Sequence, residues 1–567
     1  MKKAIFVILC IMLGTIFINY INQEPTYRIY KEGDNVEQIS VLLNDISTAT
    51  NTSGVKVVVN QEQVSEDMLS CYVSDRLVVM MPITMLRDYL DCRIRMYADD
   101  SILVERGITR VILQMDSNVA EVNSSTITMR ETVREESGIV YVPVEDIASY
   151  LHVDCSYSVL DNTLTMNQLV YEEVLPEQYD MRAEGMVSPV RDQGIFGTCW
   201  AFAALAALET TLLPAEPFIY SVDHMSMLSG FNIENLNGGD YTMTLAYLAS
   251  WKGPVLESDD PYGDSETNEN AKEVKHLEEA VFVNSKDYEA IKRYVYKYGG
   301  VQSSIYMELE LQDGKSESGF YNAKESAYYY TGENACNHDV VIVGWDDNYP
   351  KEKFAKQPEA DGAFICKNSW GTGFGDAGYI YISYYDSKIG TTNVAYTKLE
   401  NTDNFDHNYQ SDLLGWVGQL GFDSSNAYFA NVFETKGKEE LAAVSFYATD
   451  ANTSYKVYVV PEYQNKASMD KRFMVAEGSF DHGGYYTVRL DDPVALNNAG
   501  KFAVVVYINT PGSERPVAIE YAADARTSTA NIRDGEGYIS LYGESWTRVE
   551  DSQSANVCLK AFTNDME

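Results

Sequence analysis

The chain of 567 residues is 45% hydrophobic and 12% aromatic, with 42 Tyr and only 15 Pro. That is the composition of a folded protein, too long for one hydrophobic core and sized for about three or four domains. Its 84 acidic residues against 43 basic ones leave a net charge of −41, which excludes nucleic acid or an anionic membrane surface as the principal partner. In chain order, Lys2 and Lys3 precede Ala4–Ile21, an apolar run without charge that reads as an export segment long enough to approach a membrane span. The run ends in "INYINQ", with no small-x-small cleavage site, so a retained signal anchor over residues 1–22 is preferred to a cleaved signal peptide. Membrane contact is expected through this segment alone. The remainder is expected outside the cytoplasm, anchored at the cell surface, or secreted if the segment is cleaved. Residues 23–49 are polar and read as a tether. The eight cysteines, at 10, 71, 92, 155, 199, 336, 366 and 558, show neither metal-ligand spacing nor a dense disulfide framework, so no metal or other cofactor is expected. Pairing among Cys71, Cys92 and Cys155 stays open.

An internal duplication follows the tether. "RLVVMMPITMLRDYLDCRIRMYADDSILV" (76–104) realigns with "GIVYVPVEDIASYLHVDCSYSVLDNTLTM" (138–166) at an offset of 61 residues, matching Pro82 with Pro143 and Leu86 with Ile147. Each copy predicts a strand, a Pro-started short helix and two strands around a turn. Neither copy buries its apolar face alone, so the two predict one small α+β module. The pattern, over about residues 50–168, resembles the copper amine oxidase N-terminal-like domain. It carries one His, His152, and so implies a stalk or spacer rather than a copper site.

The middle, about 171–400, mixes helices and strands and carries the chemistry. "CWAFAALAALETTLL" (199–213) holds strong helix formers and ends before Pro214, which predicts a helix with Cys199 in its first turn. There the free N–H groups and the positive end of the dipole favour a thiolate. The alternative is packing, since Trp200, Phe202 and Leu205 would bury a small apolar sulfur equally well. A nucleophile needs a base, and of six His only one has a special setting. His152, His276, His407 and His482 have none, and His224 in "YSVDHMSML" reads as a structural histidine on a helix. His338 begins the apolar strand "NHDVVIVGW" (337–345), and Asn368 lies near the end of a second strand, "AFICKNSWG" (363–371). Adjacent strands would set the amide beside the imidazole and fix its orientation and tautomer.

"LPEQYDMRAEGMVSPVRDQGIFGTCWAFA" (175–203), "NGGD" (237–240), "GPVLESDDPY" (253–262), "YGGVQSSI" (298–305), "NHDVVIVGW" and "KNSWGTGFGDAGYIYI" (367–382) follow one another as in the papain family of cysteine peptidases, which the stretch 175–395 closely resembles. The resemblance implies Cys199 as nucleophile, His338 as base and acid, and Asn368 as orienter. Gln193 and the backbone N–H of Cys199 would supply the oxyanion hole, Trp370 would shield the His338–Asn368 bond, and Gly238 and Gly239 would meet the substrate backbone. It also implies a Cys199 thiolate paired with imidazolium, with alkylation levelling off by about pH 6.

The chain departs from the family in several places. Phe196 stands where the family has a disulfide cysteine. Asp339 replaces a small residue and is expected on the strand face opposite His338, with little effect on catalysis. The interval "DDNYPKEKFAKQPEADG" (346–362) is expected as a charged, exposed loop, and Cys336 and Cys366 are expected not to bond. No segment resembles the family's helical propeptide.

After residue 408 the pattern changes to short aromatic and β-branched runs, "AAVSFYATD", "SYKVYVV", "YYTVRL", "KFAVVVYIN", "PVAIEY" and "GYISLY", which predict an antiparallel β-sandwich over 408–565. It resembles the lectin-like domain that follows bacterial papain-type domains, which implies a carbohydrate or other surface ligand. The fold class expected is thus multidomain α+β: a duplicated α+β stalk, a papain-like domain with a helical and a barrel-like lobe, and an all-β sandwich. The function expected is extracytoplasmic cysteine endopeptidase, with protein or peptide as substrate. The rivals are a non-catalytic adhesin on a papain-like scaffold and an enzyme that passes its acyl group to an amine.

Overall fold

The computed structural model describes residues 55–567 apart from 65–70, 98, 108, 124, 137, 170–174, 234–236, 265, 309, 313–314, 497–499 and 567. The export segment and the tether lie outside the described residues, among which no helix is long and apolar enough to cross a membrane. The chain divides into two compact units, one of residues up to 94 with 101–173, the other of 95–100 with 174–567.

In the first unit the leading strands of the two sequence copies, Val79–Pro82 and Ile139–Pro143, pair antiparallel with Met81 opposite Val142. Each is nearly all buried, which suits a continuous apolar run. The prolines close these strands rather than opening the helices: Pro143 is the residue before the single-turn helix Val144–Ile147, and Pro82 ends its strand ahead of Thr84–Leu90. A hairpin of Val153–Ser158 and Thr163–Gln168 adds Lys56–Val59 in parallel. In the meander from Ser101 to Thr128, the strand Thr109–Gln114 alternates buried and exposed residues, as a sheet with one wet face requires. Leu86, Ile147, Leu151 and Leu164 belong to a core of this unit's own.

The second unit begins with helix α1 (Cys199–Leu212), whose fourteen residues include no Gly or Pro and are buried on nearly every side from Trp200 to Thr210. Such a helix is a central beam, apolar all round because it is covered all round. Helices α2 (Val222–Leu228), α3 (Tyr241–Ala249) and α4 (Tyr288–Lys297) accompany it. The longer strands of the middle region are β1 (His276–Val283), β2 (Val301–Ile305), β3 (His338–Asp346), β4 (Ala363–Lys367), β5 (Tyr379–Ser383) and β6 (Asn393–Glu400). They stand in the order β5-β4-β3-β2-β6-β1, and α1 packs on β3, β2 and β6.

The six runs expected as strands after residue 408 are strands. With strands the runs did not include, β7 (Asn426–Glu434), β8 (Glu439–Ala448), β9 (Thr453–Val460), β10 (Phe473–Phe480), β11 (Gly483–Leu496), β12 (Lys501–Asn509) and β13 (Leu559–Asp565) form most of two facing sheets. One sheet, β10-β9-β12-β7, packs Val457, Val459, Phe502 and Val504 against Val444 and Phe446 of the other. That other sheet does not stop at the sandwich. β11 pairs with β1, Glu279 opposite Tyr486 and Phe282 opposite Gly483, so the strands of the middle region continue into β11-β8-β13 as one sheet. Tyr447, Tyr485 and Tyr486 lie in the same apolar core as Val281, Val341 and Trp200.

The interval 346–362 differs from its expectation as a merely exposed loop. It carries a turn of 3₁₀-helix at Lys351–Lys353 and is pinned by Tyr349 and Phe354, each 4% exposed, against Ala327 and Ala363. Two aromatic side chains outweigh the charge pattern in deciding its course.

Candidate active site

Cys199 is the first residue of α1. Its preceding residue, Thr198, gives its hydroxyl to Tyr262 at 2.7 Å rather than to the helix, so the first turn's N–H groups have no side-chain cap. The backbone N–H groups of Asp339, Trp200 and Cys199 lie near enough to the sulfur to favour a thiolate, which places the thiol close to the first turn of its own helix and the start of β3. Burial pushes the Cys199 thiol up to about 11, the negative charge of Asp339 adds to the rise, and these three N–H groups oppose it.

His338 opens β3, and Asn368 follows β4, whose Lys367 pairs with Val341. That register brings His338 Nε2 within 2.7 Å of Asn368 Oδ1. The amide orientation has an independent anchor, because the backbone N–H of Ser369 donates to the same Oδ1 at 2.9 Å and requires an oxygen there. Nε2 of a neutral ring must therefore carry the proton, leaving Nδ1 as the acceptor. Trp370 lies over the imidazole, ring centroids 4.7 Å apart, and Phe374 backs it edge-on. Burial pushes His338 down to about 4, opposed by its bond to Asn368. The expectation of a thiolate already formed by about pH 6 therefore meets an opposing force: burial disfavours either charge alone. Transfer of the thiol proton to the imidazole would create two opposite charges at once and oppose both penalties.

Gln193 is buried and tightly held. Its backbone N–H donates to Ser369 O at 2.8 Å, its Oε1 accepts from the Ser369 hydroxyl at 2.7 Å, and its Nε2 donates to Phe196 O at 2.8 Å. One of the two amide hydrogens is thus engaged by the backbone, leaving the second for an oxyanion. Gly238 and Gly239 come up against the same loop. Gly238 has φ +75°, and a Cβ on Gly239 would stand 2.5 Å from Trp200 Nε1, so a side chain is excluded there by sterics.

Cys199, His338, Asn368, Trp370, Gln193 and the glycine pair are therefore gathered around one helix end. Ser369, Tyr262 and Gln302, which lie in the segments of the resemblance but carried no expected role, join them. Ser369 steers Gln193, and Tyr262 donates to Gln193 O at 2.9 Å. Asp339 faces Ser304 across the β2–β3 pair, the strand face opposite His338, as alternation requires. That face looks at α1, however. Gln302 Nε2 donates to Asp339 at 2.7 Å and to Trp200 O at 3.3 Å, while Tyr396 donates to Gln302 Oε1 at 2.8 Å. The carboxyl group is thus part of the cluster beneath the thiol rather than remote from it, and burial pushes its pKa up.

His224 is buried on α2 and bonds Tyr247 through Nδ1 at 2.6 Å, which accords with a structural role. All seven described cysteines are free thiols, including Cys71, Cys92, Cys155, Cys336 and Cys366. One trio of possible metal ligands, His407, Glu439 and Asp565, lies outside this site. Its Glu439 carboxylate already accepts from Tyr409, Thr563 and the Lys436 and Gly437 N–H groups, which leaves little lone-pair capacity for an ion.

A helix-borne cysteine beside a strand-borne His–Asn pair defines the class, and comparison with known proteins supplies the family. Residues 175–399 match the model of the papain family cysteine proteases, residues 48–166 that of the copper amine oxidase N-terminal domain, and residues 408–563 that of the lectin-like domain. The chain therefore contains a papain-like cysteine peptidase domain, set between the other two. Cysteine proteinase 2 of Entamoeba histolytica is 34% identical over 217 residues, 36% of this chain and 62% of that protein. Cathepsin K of Gallus gallus is 31% identical over 218 residues, 37% of this chain and 59% of that protein. The chain thus spans about three fifths of the length of these relatives. Among solved structures, the clostridial cysteine protease Cwp84 after propeptide cleavage superposes with a TM-score of 0.61 at 27% identity, covering 69% of this chain and 99% of that one. The protease and lectin-like domains of Cwp84, described as a surface-layer-associated protein of Clostridium difficile, superpose with a TM-score of 0.60 at 27% identity, over 69% of this chain and 90% of that one.

Proposed function

We propose that the protein is an extracytoplasmic cysteine endopeptidase that cleaves peptide bonds through Cys199, His338 and Asn368. The observation that carries this reading is the 2.7 Å bond between His338 Nε2 and Asn368 Oδ1, at the strand end whose Asp339 backbone lies near the Cys199 sulfur. The thiol proton passes to His338 Nδ1 as the sulfur attacks the peptide carbonyl carbon. The oxygen then gathers negative charge between the backbone N–H of Cys199 and the free amide hydrogen of Gln193. Collapse of the tetrahedral species breaks the C–N bond, and the leaving amine takes the proton from His338. Water, losing a proton to the neutral imidazole, attacks the thioester and restores the thiol. No step calls on a metal.

The location is read from the apolar segment Ala4–Ile21 behind Lys2 and Lys3 and from the surface-layer association of Cwp84. On this reading residues 1–22 anchor the chain, and the duplicated module over 50–168 is a stalk. The domain at 408–565 takes a carbohydrate or other surface ligand. Profiling a peptide library with the full chain tests the activity. Cleavage that Cys199→Ala abolishes without changing the melting temperature is expected. A chain that binds peptides without cutting them is the adhesin reading instead, and products bearing an added amine point to acyl transfer.

A further inference from the structure

The strip Gly238–Gly239 ends at Asp240, and the carboxylate of Asp240 is divided between two tasks. Oδ1 caps α3, accepting from the Thr242 N–H at 2.9 Å, while Oδ2 accepts from Arg526 Nη1 at 2.5 Å. Arg526 belongs to the sandwich, some 290 positions away in the chain, and sits on the turn 524–529 after its strand Val517–Glu520. The contact is not isolated. Arg526 O accepts from Asn232 N at 2.8 Å, Asn232 Nδ2 donates to Ala525 O at 3.1 Å, and Thr529 Oγ1 donates to Gly230 O at 2.7 Å. The Arg526 guanidinium lies 5.7 Å from the centre of the Phe231 ring. On the other flank Tyr241 stacks edge-on against Phe282, which meets Trp416 of the sandwich at 5.8 Å. The residue following the glycine pair is therefore gripped from the sandwich by an ion pair, and the next residue packs on Phe282 of β1, which the sandwich's Trp416 backs in turn.

We propose that Arg526 is a positioning residue of the peptidase cleft, and that the lectin-like domain, through it, forms the outer support of the wall along which the substrate backbone lies. The proposal rests on the reading of Gly238–Gly239 as the strip that meets the peptide. Glycines hold no conformation by themselves, so a strip of two needs anchors at its ends to present its N–H and C=O groups in one orientation. Gly239 is fixed on one side by Trp200 and Met243, and Asp240 is the anchor that follows. Arg526 and Asp240 are 37% and 39% exposed, so substitution at either is tolerable to the fold.

The test uses the full chain with Arg526→Ala, Arg526→Lys, Asp240→Asn and the double variant Arg526→Ala/Asp240→Asn. Asparagine caps a helix as well as aspartate, so Asp240→Asn removes the pair without removing the cap. Peptides carrying three or more residues before the cut should lose about three- to ten-fold in kcat/KM with either Arg526→Ala or Asp240→Asn, mainly through KM. The double variant should be no worse than the singles, and Arg526→Lys should recover most of the loss. Alkylation of Cys199 by iodoacetamide, which touches no subsite, should stay within about two-fold of wild type, and amide exchange at residues 238–243 should quicken in Arg526→Ala. Unchanged KM together with unchanged exchange overturns the proposal, as does a parallel fall in alkylation, which marks a general loss of structure. Faster exchange with unchanged KM upholds the clasp and overturns instead the assignment of the glycine strip to substrate.

Discussion

The N-terminal module and the C-terminal sandwich are announced in the same way, by a change of residue pattern along the chain, yet they are built on opposite terms. The module closes around a core of its own, with Leu86, Ile147 and Leu164 fully buried inside it. The sandwich has a private core between its two sheets but also shares a second one: Tyr447, Tyr485 and Tyr486 are packed with residues of the catalytic region, and β11 is hydrogen-bonded to β1. A pattern boundary in sequence is thus not a boundary in cooperative structure. One appended region closes its own core, and the other completes its neighbour's.

The sharpest way to break this comparison is to end the chain at residue 400. Each large apolar side chain taken from the shared core is worth about 1.5–3 kcal/mol, so losing three rings approaches the whole stability of a domain, about 5–15 kcal/mol. A fragment of residues 171–400 is expected to be insoluble or molten, with no cooperative melt. Recovery of a cooperatively folded, peptide-cleaving fragment would show that the shared sheet is dispensable.

Within the fused unit, chemistry should be separable from fold. Gln193→Ala should lower kcat by about 10²–10³, the usual loss for one oxyanion donor, while leaving alkylation of Cys199 nearly unchanged. Equal losses in both would assign Gln193 to structure alone. Ser369→Ala, which frees Gln193 Oε1 from its 2.7 Å partner, should act in the same direction but cost only about two- to ten-fold, the worth of one neutral hydrogen bond.

The pH dependence of Cys199 alkylation probes the charges that face it. The negative charge of Asp339 raises the thiol pKa, so Asp339→Asn, which removes the charge and keeps an acceptor for Gln302, should move the reactive limb to lower pH. His338→Ala takes away the acceptor for the thiol proton and should move the limb upward, toward the value of about 11 to which burial pushes the thiol. A limb that stays in place in both variants would mean that neither group faces the sulfur as described. Smallest of all should be the effect of deleting residues 23–168 from the chain, because every proposed catalytic residue lies in the second unit. Peptide cleavage is expected within a few-fold of the intact protein, and its loss from a folded chain would mean that the module shapes the cleft.

The local chemistry was legible in the sequence to an unusual depth. The helix from Cys199 to Leu212 follows from composition and from the stop before Pro214, and His338 and Asn368 at strand ends follow from the apolar runs beside them. These are near-neighbour properties, decided by propensity and periodicity over ten or fifteen residues. What they could not disclose were partners distant in the chain. Ser369 holding Gln193, Asp339 reaching Gln302 beneath the thiol, and Tyr349 and Phe354 pinning a charged loop all depend on which strands lie side by side. The pairing of β1 with β11 and the grip of Arg526 on Asp240 are of the same kind. By itself the sequence determined the three regions, the helix that begins at Cys199 and the set of candidate catalytic side chains. Tertiary structure alone decided which groups surround the thiol and which domains share a core. Electrostatics and burial are set by distance through space, and many residues at each contact have no periodic trace along the chain.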